Sequence, residues 1–189
     1  MKKSIGLLVL PLALYAGACQ AEENLQPQIK EGKTVIKAFV GDLVKTLKGS
    51  LKKDGPAAAI KVCKDAAPKI ADTHSKKSGW TVKRTSLKLR NPKNAPDAWE
   101  LTVLKEFEAR KAAGEDPKEI AKAVVVEEGG QKYFRMMKAI PTREVCLKCH
   151  GENLKQPIKD ALDKNYPKDL GRGFKEGDLR GAFSLKKPL

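Results

Sequence analysis

The fold is decided by Ala123-Val124-Val125-Val126-Glu127-Glu128-Gly129-Gly130-Gln131-Lys132-Tyr133-Phe134-Arg135-Met136-Met137-Lys138-Ala139-Ile140. Valine and aromatic residues favour strands, and they dominate the two ends of this stretch. The central Gly-Gly pair supplies the positive φ angles that a tight turn between antiparallel strands requires. The stretch therefore predicts a β-hairpin.

The segments on either side of the hairpin supply helices and further strands. Apolar residues spaced three and four apart predict a helix over Gln28–Lys53, and Gly55-Pro56 ends it and begins a second helix that runs to Lys77. The other predicted elements are a strand over Trp80–Leu89, a helix from Asp97 to Ala113 and a closing strand over Gly181–Lys186. Two N-terminal helices followed by strands predict a single α+β domain on an antiparallel sheet.

The net charge of the chain and its low Arg content limit the classes of partner that are expected. The 189 residues include 38 basic and 23 acidic ones, for a formal net charge of +15, but only seven of the basic residues are Arg. Arg is the side chain that binds phosphates and guanine edges in bidentate fashion, so a nucleic-acid partner is not expected. Most of the surplus lies in the N-terminal half. We expect this Lys-rich face to dock onto an acidic protein or an anionic surface.

Residues 1–21 predict a secretory signal peptide. A basic start precedes an apolar run over Ile5–Ala16, and small residues follow it. The run is too short to span the roughly 30 Å of bilayer hydrocarbon as a helix. A cut before Cys19 would leave that cysteine for lipidation, the only membrane attachment expected, whereas a cut after residue 21 would discard it. The sequence predicts a domain over residues 22–189 that is periplasmic or otherwise exported.

One motif carries chemistry, and it reads Cys146-Leu147-Lys148-Cys149-His150. Two thiols at this spacing can add to the two vinyl groups of one haem, and the histidine that follows then becomes an axial ligand of the iron. The alternatives are a structural disulfide, a thioredoxin-like redox pair and half of a zinc site. The thioredoxin interpretation lacks a strand-to-helix setting, and the zinc interpretation lacks a second ligand pair. The motif therefore predicts one covalent haem c.

The residues alone leave the second axial ligand open. The candidates outside the signal peptide are Cys63, His74, Met136, Met137 and the Lys amines. Cys63 is the thiol left over once the motif holds haem, and a free thiol is a hazard in an oxidising compartment. A plain buried cysteine explains Cys63 equally well. His74 is expected to face solvent near a helix end, and one of the two methionines is expected to point into the core.

Four blocks of sequence carry a resemblance to a known family. They are Ala59–Pro68, Trp80–Glu100, Cys146–His150 and Gly177–Leu185. In this order they resemble the exported, PAS-like c-type haem domains first catalogued as a domain of unknown function. The resemblance implies a PAS-like antiparallel sheet with N-terminal helices and one haem. It also implies Cys/His axial ligation, which carries over onto Cys63 and His150.

The implied ligands suggest a function. A thiolate opposite histidine favours ferric iron and lowers its reduction potential. We therefore expect a haem-based redox or diatomic-gas sensor, or a low-potential redox protein, with a signalling or acidic redox partner and no substrate turnover. The alternatives are a simple electron carrier that docks through the Lys-rich N-terminal face, and a peroxidase-like enzyme that uses His74. Arg84, Arg90 and Asn91 are candidates for contacts with the haem propionates, although Arg90-Asn91 can equally serve only to shape a loop.

Overall fold

The computed structural model describes residues 24–189, and its elements form one four-stranded sheet with helices on both faces. The helices are α1 (Gln26–Lys61), α2 (Ala67–Ser78), α3 (Ala98–Ala112), α4 (Glu144–His150) and α5 (Gln156–Asn165), and the strands are β1 (Thr81–Thr85), β2 (Ala121–Glu128), β3 (Gln131–Pro141) and β4 (Leu179–Pro188). The strand order is β1-β4-β3-β2, with every pairing antiparallel. This confirms the predicted α+β class. Within residues 24–189, no helix has the length and apolar character needed to cross a membrane.

The hairpin lies where the sequence predicts it. Glu128 pairs with Gln131, and the two glycines between them have φ angles of 61° and 78°. The closing strand β4 pairs with both β1 and β3. At the β1–β4 junction Gly181 has a φ of 149°, and a Cβ there would lie 2.1 Å from the carbonyl oxygen of Thr85. Only glycine permits this close approach of the two backbones.

Both faces of the sheet are covered, which decides the environment of the two methionines. Met136 is 1% exposed and packs with Phe39 of α1 and with Trp80. Met137 points to the opposite face and is fully buried against Phe107 of α3. The expectation that one methionine points into the core is too narrow, because each side of the sheet has its own core. Both are packing residues.

A kink lies inside α1, and a wide turn joins the end of α1 to α2. Gly55, inside α1, has a φ of 77° and a ψ of 176°, which marks the break predicted at Gly55-Pro56. The segment Val62–Ala66 forms a π-helical turn, in which the N–H of Ala67 donates to the carbonyl of Val62, five residues earlier. Pro68 follows directly and has no N–H to restore the α-helical pattern. The wide turn adds a residue to the helical repeat and so changes the register of the side chains around Cys63.

Candidate functional site

A pocket of about 110 Å³, partly open to solvent, is lined by residues from distant parts of the chain. Of the predicted site residues, Cys63, Arg84, Arg90 and His150 line it, and Asn91 borders it. Tyr166 and Arg180, which the sequence analysis did not single out, also line it. The structure therefore brings the thiol of the π-helical turn and the histidine of the motif to one cavity.

The CxxCH motif lies in the short helix α4. Cys146 and Cys149 are both free and half-buried. Burial raises the pKa of the Cys149 thiol above its ordinary value, and this cysteine packs against the apolar cluster that contains Ile60 and Leu162. The helix ends at Gly151, where a Cβ would lie 2.7 Å from the carbonyl oxygen of Leu147. Glycine at this position lets the chain turn away directly after the motif.

His150 presents an unprotonated nitrogen to the pocket. Its Nδ1 lies 2.8 Å from the carbonyl oxygen of Gly171 and 3.1 Å from Nε of Arg180. Nδ1 cannot donate to one and accept from the other at the same time, and the shorter carbonyl contact assigns the proton to Nδ1. Burial and the positive charges of Arg180 and Arg90 hold the pKa of His150 well below its ordinary value. The imidazole is neutral, and Nε2, which lies 3.5 Å from Nη1 of Arg90, is the nitrogen that can bind a metal.

Arg90 connects the end of α4 to the loop that precedes β4 through hydrogen bonds to both. Its Nε donates to Asp169 at 3.1 Å, and its Nη2 donates to the carbonyl oxygens of Cys149 at 2.6 Å and Gly171 at 2.9 Å. Asp169 also accepts from Arg172 and from the Gly171 N–H. Since these contacts use most of its donors, Arg90 supports the carbonyl that orients His150. Its contact with a haem propionate stays a prediction.

Arg84 and Arg180 differ from Arg90, because neither forms an ion pair with a carboxylate among residues 24–189. Burial lowers the pKa of the Arg84 guanidinium. Burial and the charges of Arg90 and Arg84 lower the pKa of Arg180 to about 10. Both side chains remain cationic at neutral pH, and they leave the pocket positive. An anionic group would complement them.

Both the sequence and the fold of this chain match a known family. A family model described as Tll0287-like matches residues 18–188. The chain belongs to the Tll0287-like family. The crystal structure of the cyanobacterial heme-protein Tll0287 is similar, with 26% sequence identity and a TM-score of 0.60 over 89% of this chain and 96% of that chain. A search of curated proteins finds no match. The family membership confirms the resemblance seen in the sequence.

One predicted candidate of this Tll0287-like chain lies away from the pocket. His74 is 9% exposed, and its Nε2 is 2.9 Å from Oδ2 of Asp42 on α1. Phe39 meets its ring edge-on, with 6.0 Å between the centroids. The expectation that His74 faces solvent is wrong, because α1 packs along α2 and covers it. His74 does not line the pocket, and the peroxidase alternative depended on it.

The signal peptide and Cys19 lie outside the described residues, but the described donor set can be tested against a haem. An imidazole with Nε2 unprotonated and the Cys63 thiol line one cavity, and the two free thiols of the motif lie on α4, the helix that ends at His150. Two half-buried guanidinium groups without carboxylate partners suit the two propionates. The residues of this Tll0287-like site fit the group. Arg180 had one signal in the sequence, since it is one of the seven Arg and stands in a block that carries the resemblance.

Proposed function

We propose that this protein is an exported c-type haem protein that acts in redox sensing, diatomic-gas sensing or low-potential redox chemistry, without turnover of a substrate. Its single haem is attached through Cys146 and Cys149, and His150 and Cys63 are the axial ligands. The observation that carries the proposal is the meeting of Cys63 and His150 in one pocket, although 86 residues separate them in the chain. The cyanobacterial heme-protein of similar structure supports it.

Two cationic side chains lie near Cys63. Arg84 and Arg180 are close enough to it for each of their pKa values to respond to a charge on Cys63. The thiolate is the form of cysteine that binds a metal. When bound, a haem iron between thiolate and imidazole favours the ferric state, has a low potential and can lose the thiolate on reduction. The pocket residues thus set the conditions under which an external ligand can bind.

The Cys63→Ala variant tests the ligation. We expect its ferric absorption spectrum to lose the features of a thiolate-bound iron and its reduction potential to rise, because the anionic ligand that stabilises ferric iron is gone. Val62→Ala is the matched control, since it shortens a half-buried side chain in the same π-helical turn. A Cys63→Ala spectrum that equals the wild type refutes Cys63 as a ligand. Carbon monoxide and nitric oxide added to the ferrous wild type then test gas binding, and no spectral change with either gas excludes the gas-sensing part of the proposal.

A specific observation favours an electron carrier as the second candidate. On the first turns of α1, Lys30, Lys33 and Lys37 are exposed and line one shallow surface recess. Like charges held side by side attract an acidic partner and accelerate its encounter, an effect that salt screens. Electron exchange with an acidic redox protein that slows at least tenfold between low and physiological ionic strength supports this role. An exchange rate independent of salt excludes docking through this face.

Export and attachment are tested on the purified protein. The mass of the mature chain distinguishes cleavage before Cys19, with a lipid added, from cleavage after residue 21. A pyridine haemochrome of the c type is expected from the wild type, because both motif thiols bond to the haem. Replacement of both Cys146 and Cys149 by Ser is expected to give a haem that dissociates under denaturing conditions. A haem that dissociates equally from the wild type refutes covalent attachment.

A further inference from the structure

A buried carboxylate lies behind the histidine of the motif, and the proposed ligand set does not use it. The side chain of Asp169 is 1% exposed. Its Oδ1 accepts from Nε of Arg90 at 3.1 Å and from the backbone N–H of Gly171 at 2.8 Å. The carbonyl oxygen of Gly171 in turn accepts from Nδ1–H of His150 at 2.8 Å. A single glycine therefore connects the carboxylate to the imidazole.

The guanidinium group of Arg90 contacts the same carbonyl. Its Nη2 lies 2.9 Å from the Gly171 oxygen, while its Nε donates to Asp169. A cation at this oxygen draws electron density from it and weakens it as the acceptor for His150. The carboxylate of Asp169 compensates the charge of Arg90 and so opposes this weakening. Burial raises the pKa of Asp169, but hydrogen bonds from Arg90 and Arg172 outweigh burial and hold that pKa below its ordinary value.

Gly171 has little room for a side chain. A Cβ there would lie 3.1 Å from Cβ of Arg90, 3.2 Å from Oδ1 of Asp169 and 2.9 Å from Nη2 of Arg180. Glycine therefore lets the backbone pass between these side chains. The carboxylate holds the Gly171 N–H from one side, while the Gly171 carbonyl faces the imidazole on the other.

We propose that Asp169 is a positioning residue for the axial ligand His150, because it holds the Gly171 carbonyl against Nδ1–H and keeps the imidazole strongly basic. This inference rests on the proposed ligation by His150 and adds the group that tunes it. A hydrogen bond from the second nitrogen of a ligating histidine fixes the ring and raises its basicity. A more basic ligand stabilises ferric iron more than ferrous iron and lowers the reduction potential. Asp169 thereby acts in the same direction as the Cys63 thiolate.

The Asp169→Asn variant keeps the size of the side chain and removes its charge. Loss of a partner that orients a ligating histidine changes metal affinity or activity by about 10–100-fold. We expect an effect at the lower limit, a rise of about tenfold in the ferrous-to-ferric ratio at a fixed electrode potential, which is about 59 mV for one electron. The g values of the ferric iron in electron paramagnetic resonance are expected to change as well, because they respond to the donor strength of the axial ligands.

Asp163→Asn is the matched control. Asp163 also pairs with Arg172, but its side chain is 66% exposed, whereas that of Asp169 is 1% exposed. Solvent and salt screen an exposed charge, so we expect the ferrous-to-ferric ratio to change by less than about twofold. A rise in Asp163→Asn equal to that in Asp169→Asn overturns the inference, because the loss of any nearby negative charge would then explain both.

Arg172→Met is a second variant with an effect of opposite sign. Arg172 donates to Oδ2 of Asp169, whereas Arg90 and Gly171 donate to Oδ1. Without Arg172, more of the carboxylate charge acts on the partners of Oδ1, so we expect the ferrous-to-ferric ratio to fall. Wild-type potential and g values in Asp169→Asn overturn the inference. If Asp169→Asn does not fold, Arg172→Met decides alone, and an unchanged ratio overturns the inference.

These outcomes are separable from the proposed function. A haem protein whose spectrum shows an imidazole-bound iron, but whose potential is the same in Asp169→Asn and in the wild type, loses only the inference about Asp169. A protein without haem, or with a spectrum that lacks imidazole ligation, loses both the inference and the proposed function.

Discussion

Replacing Arg90 with Met would remove the side chain that joins the end of α4 to the loop before β4. Arg90 is 8% exposed and donates to Asp169 at 3.1 Å, to the Cys149 carbonyl at 2.6 Å and to the Gly171 carbonyl at 2.9 Å. Removing one partner of a buried ion pair costs about 3–5 kcal/mol of unfolding free energy. Asp169 keeps its contact with Arg172, so we expect a loss near the lower limit, about 3 kcal/mol.

Urea or thermal unfolding of the purified protein measures this loss. For a chain of this length, 3 kcal/mol corresponds to a Tm decrease of about 6–12 °C. Arg172→Met is the matched control, because Arg172 also pairs with Asp169 but is itself 29% exposed, and its second partner Asp163 is 66% exposed. Exposed pairs contribute at most about 1 kcal/mol. Equal destabilisation by the two substitutions would refute the reasoning that burial makes the Arg90 pair the stronger one.

The same pair predicts a dependence on pH. Burial opposes the charged form of Asp169, but hydrogen bonds from Arg90 and Arg172 outweigh it, and the pKa of Asp169 lies below its ordinary value. A depressed pKa in the folded state stabilises the protein above the unfolded pKa of about 3.9, and this contribution is lost as the pH falls through the folded pKa. The difference in unfolding free energy between wild type and Arg90→Met should therefore be smaller at pH 3 than at pH 7. A constant difference would mean that the Asp169 charge does not carry the effect.

Two further substitutions test the sheet and the start of α3. Gly181→Ala should lower the free energy of unfolding by about 3 kcal/mol or more, since its Cβ would lie 2.1 Å from the Thr85 carbonyl oxygen. Gly49→Ala, on the open face of α1, should raise the free energy of unfolding by about 0.5–1 kcal/mol. Unfolding of both variants in urea measures the contrast, and a loss below about 1 kcal/mol for Gly181→Ala contradicts it. Asp97→Ala should lower the free energy of unfolding by about 1–2 kcal/mol, because the carboxylate accepts from the Glu100 N–H at 2.8 Å as the cap of α3. An Asp97→Asn variant that loses as much stability would show that capping is not the cause.

Local signals explain why much of the fold could be predicted. The hairpin follows from the Gly129-Gly130 pair between two strand-forming runs, and the glycines have the positive φ angles that such a turn needs. The start of α3 follows from Asp97 and Glu100, which form the reciprocal capping box found in the structure. The CxxCH helix is equally local. Each of these elements depends on residues within a few positions of one another, so the sequence carries the whole cause.

The missed features depend on contacts between distant segments. The burial of His74 comes from α1, 32 residues earlier, through Asp42. The π-helical turn that carries Cys63 reflects Pro68 together with the packing of both flanking helices, and a helical periodicity cannot register an added residue. Helix α5 was not predicted, and with it the position of Tyr166 was missed. Neither His74 nor Tyr166 has a sequence motif around it that would reveal its place in the fold.

The charges of the pocket explain why the fold is easier to predict from the sequence than the site. The two apolar cores, one around Phe39 and one around Phe107, are complete without any further group. In the pocket, within residues 24–189, only Arg90 of the three guanidinium groups has a carboxylate partner, Asp169. The charge on Arg84 lowers the pKa of Arg180, so the two repel one another in a partly buried space. Holding such cations together opposes folding unless an anion joins them. The arrangement is therefore understood through the ligand that it receives, whereas the sheet and its helices follow from the chain alone.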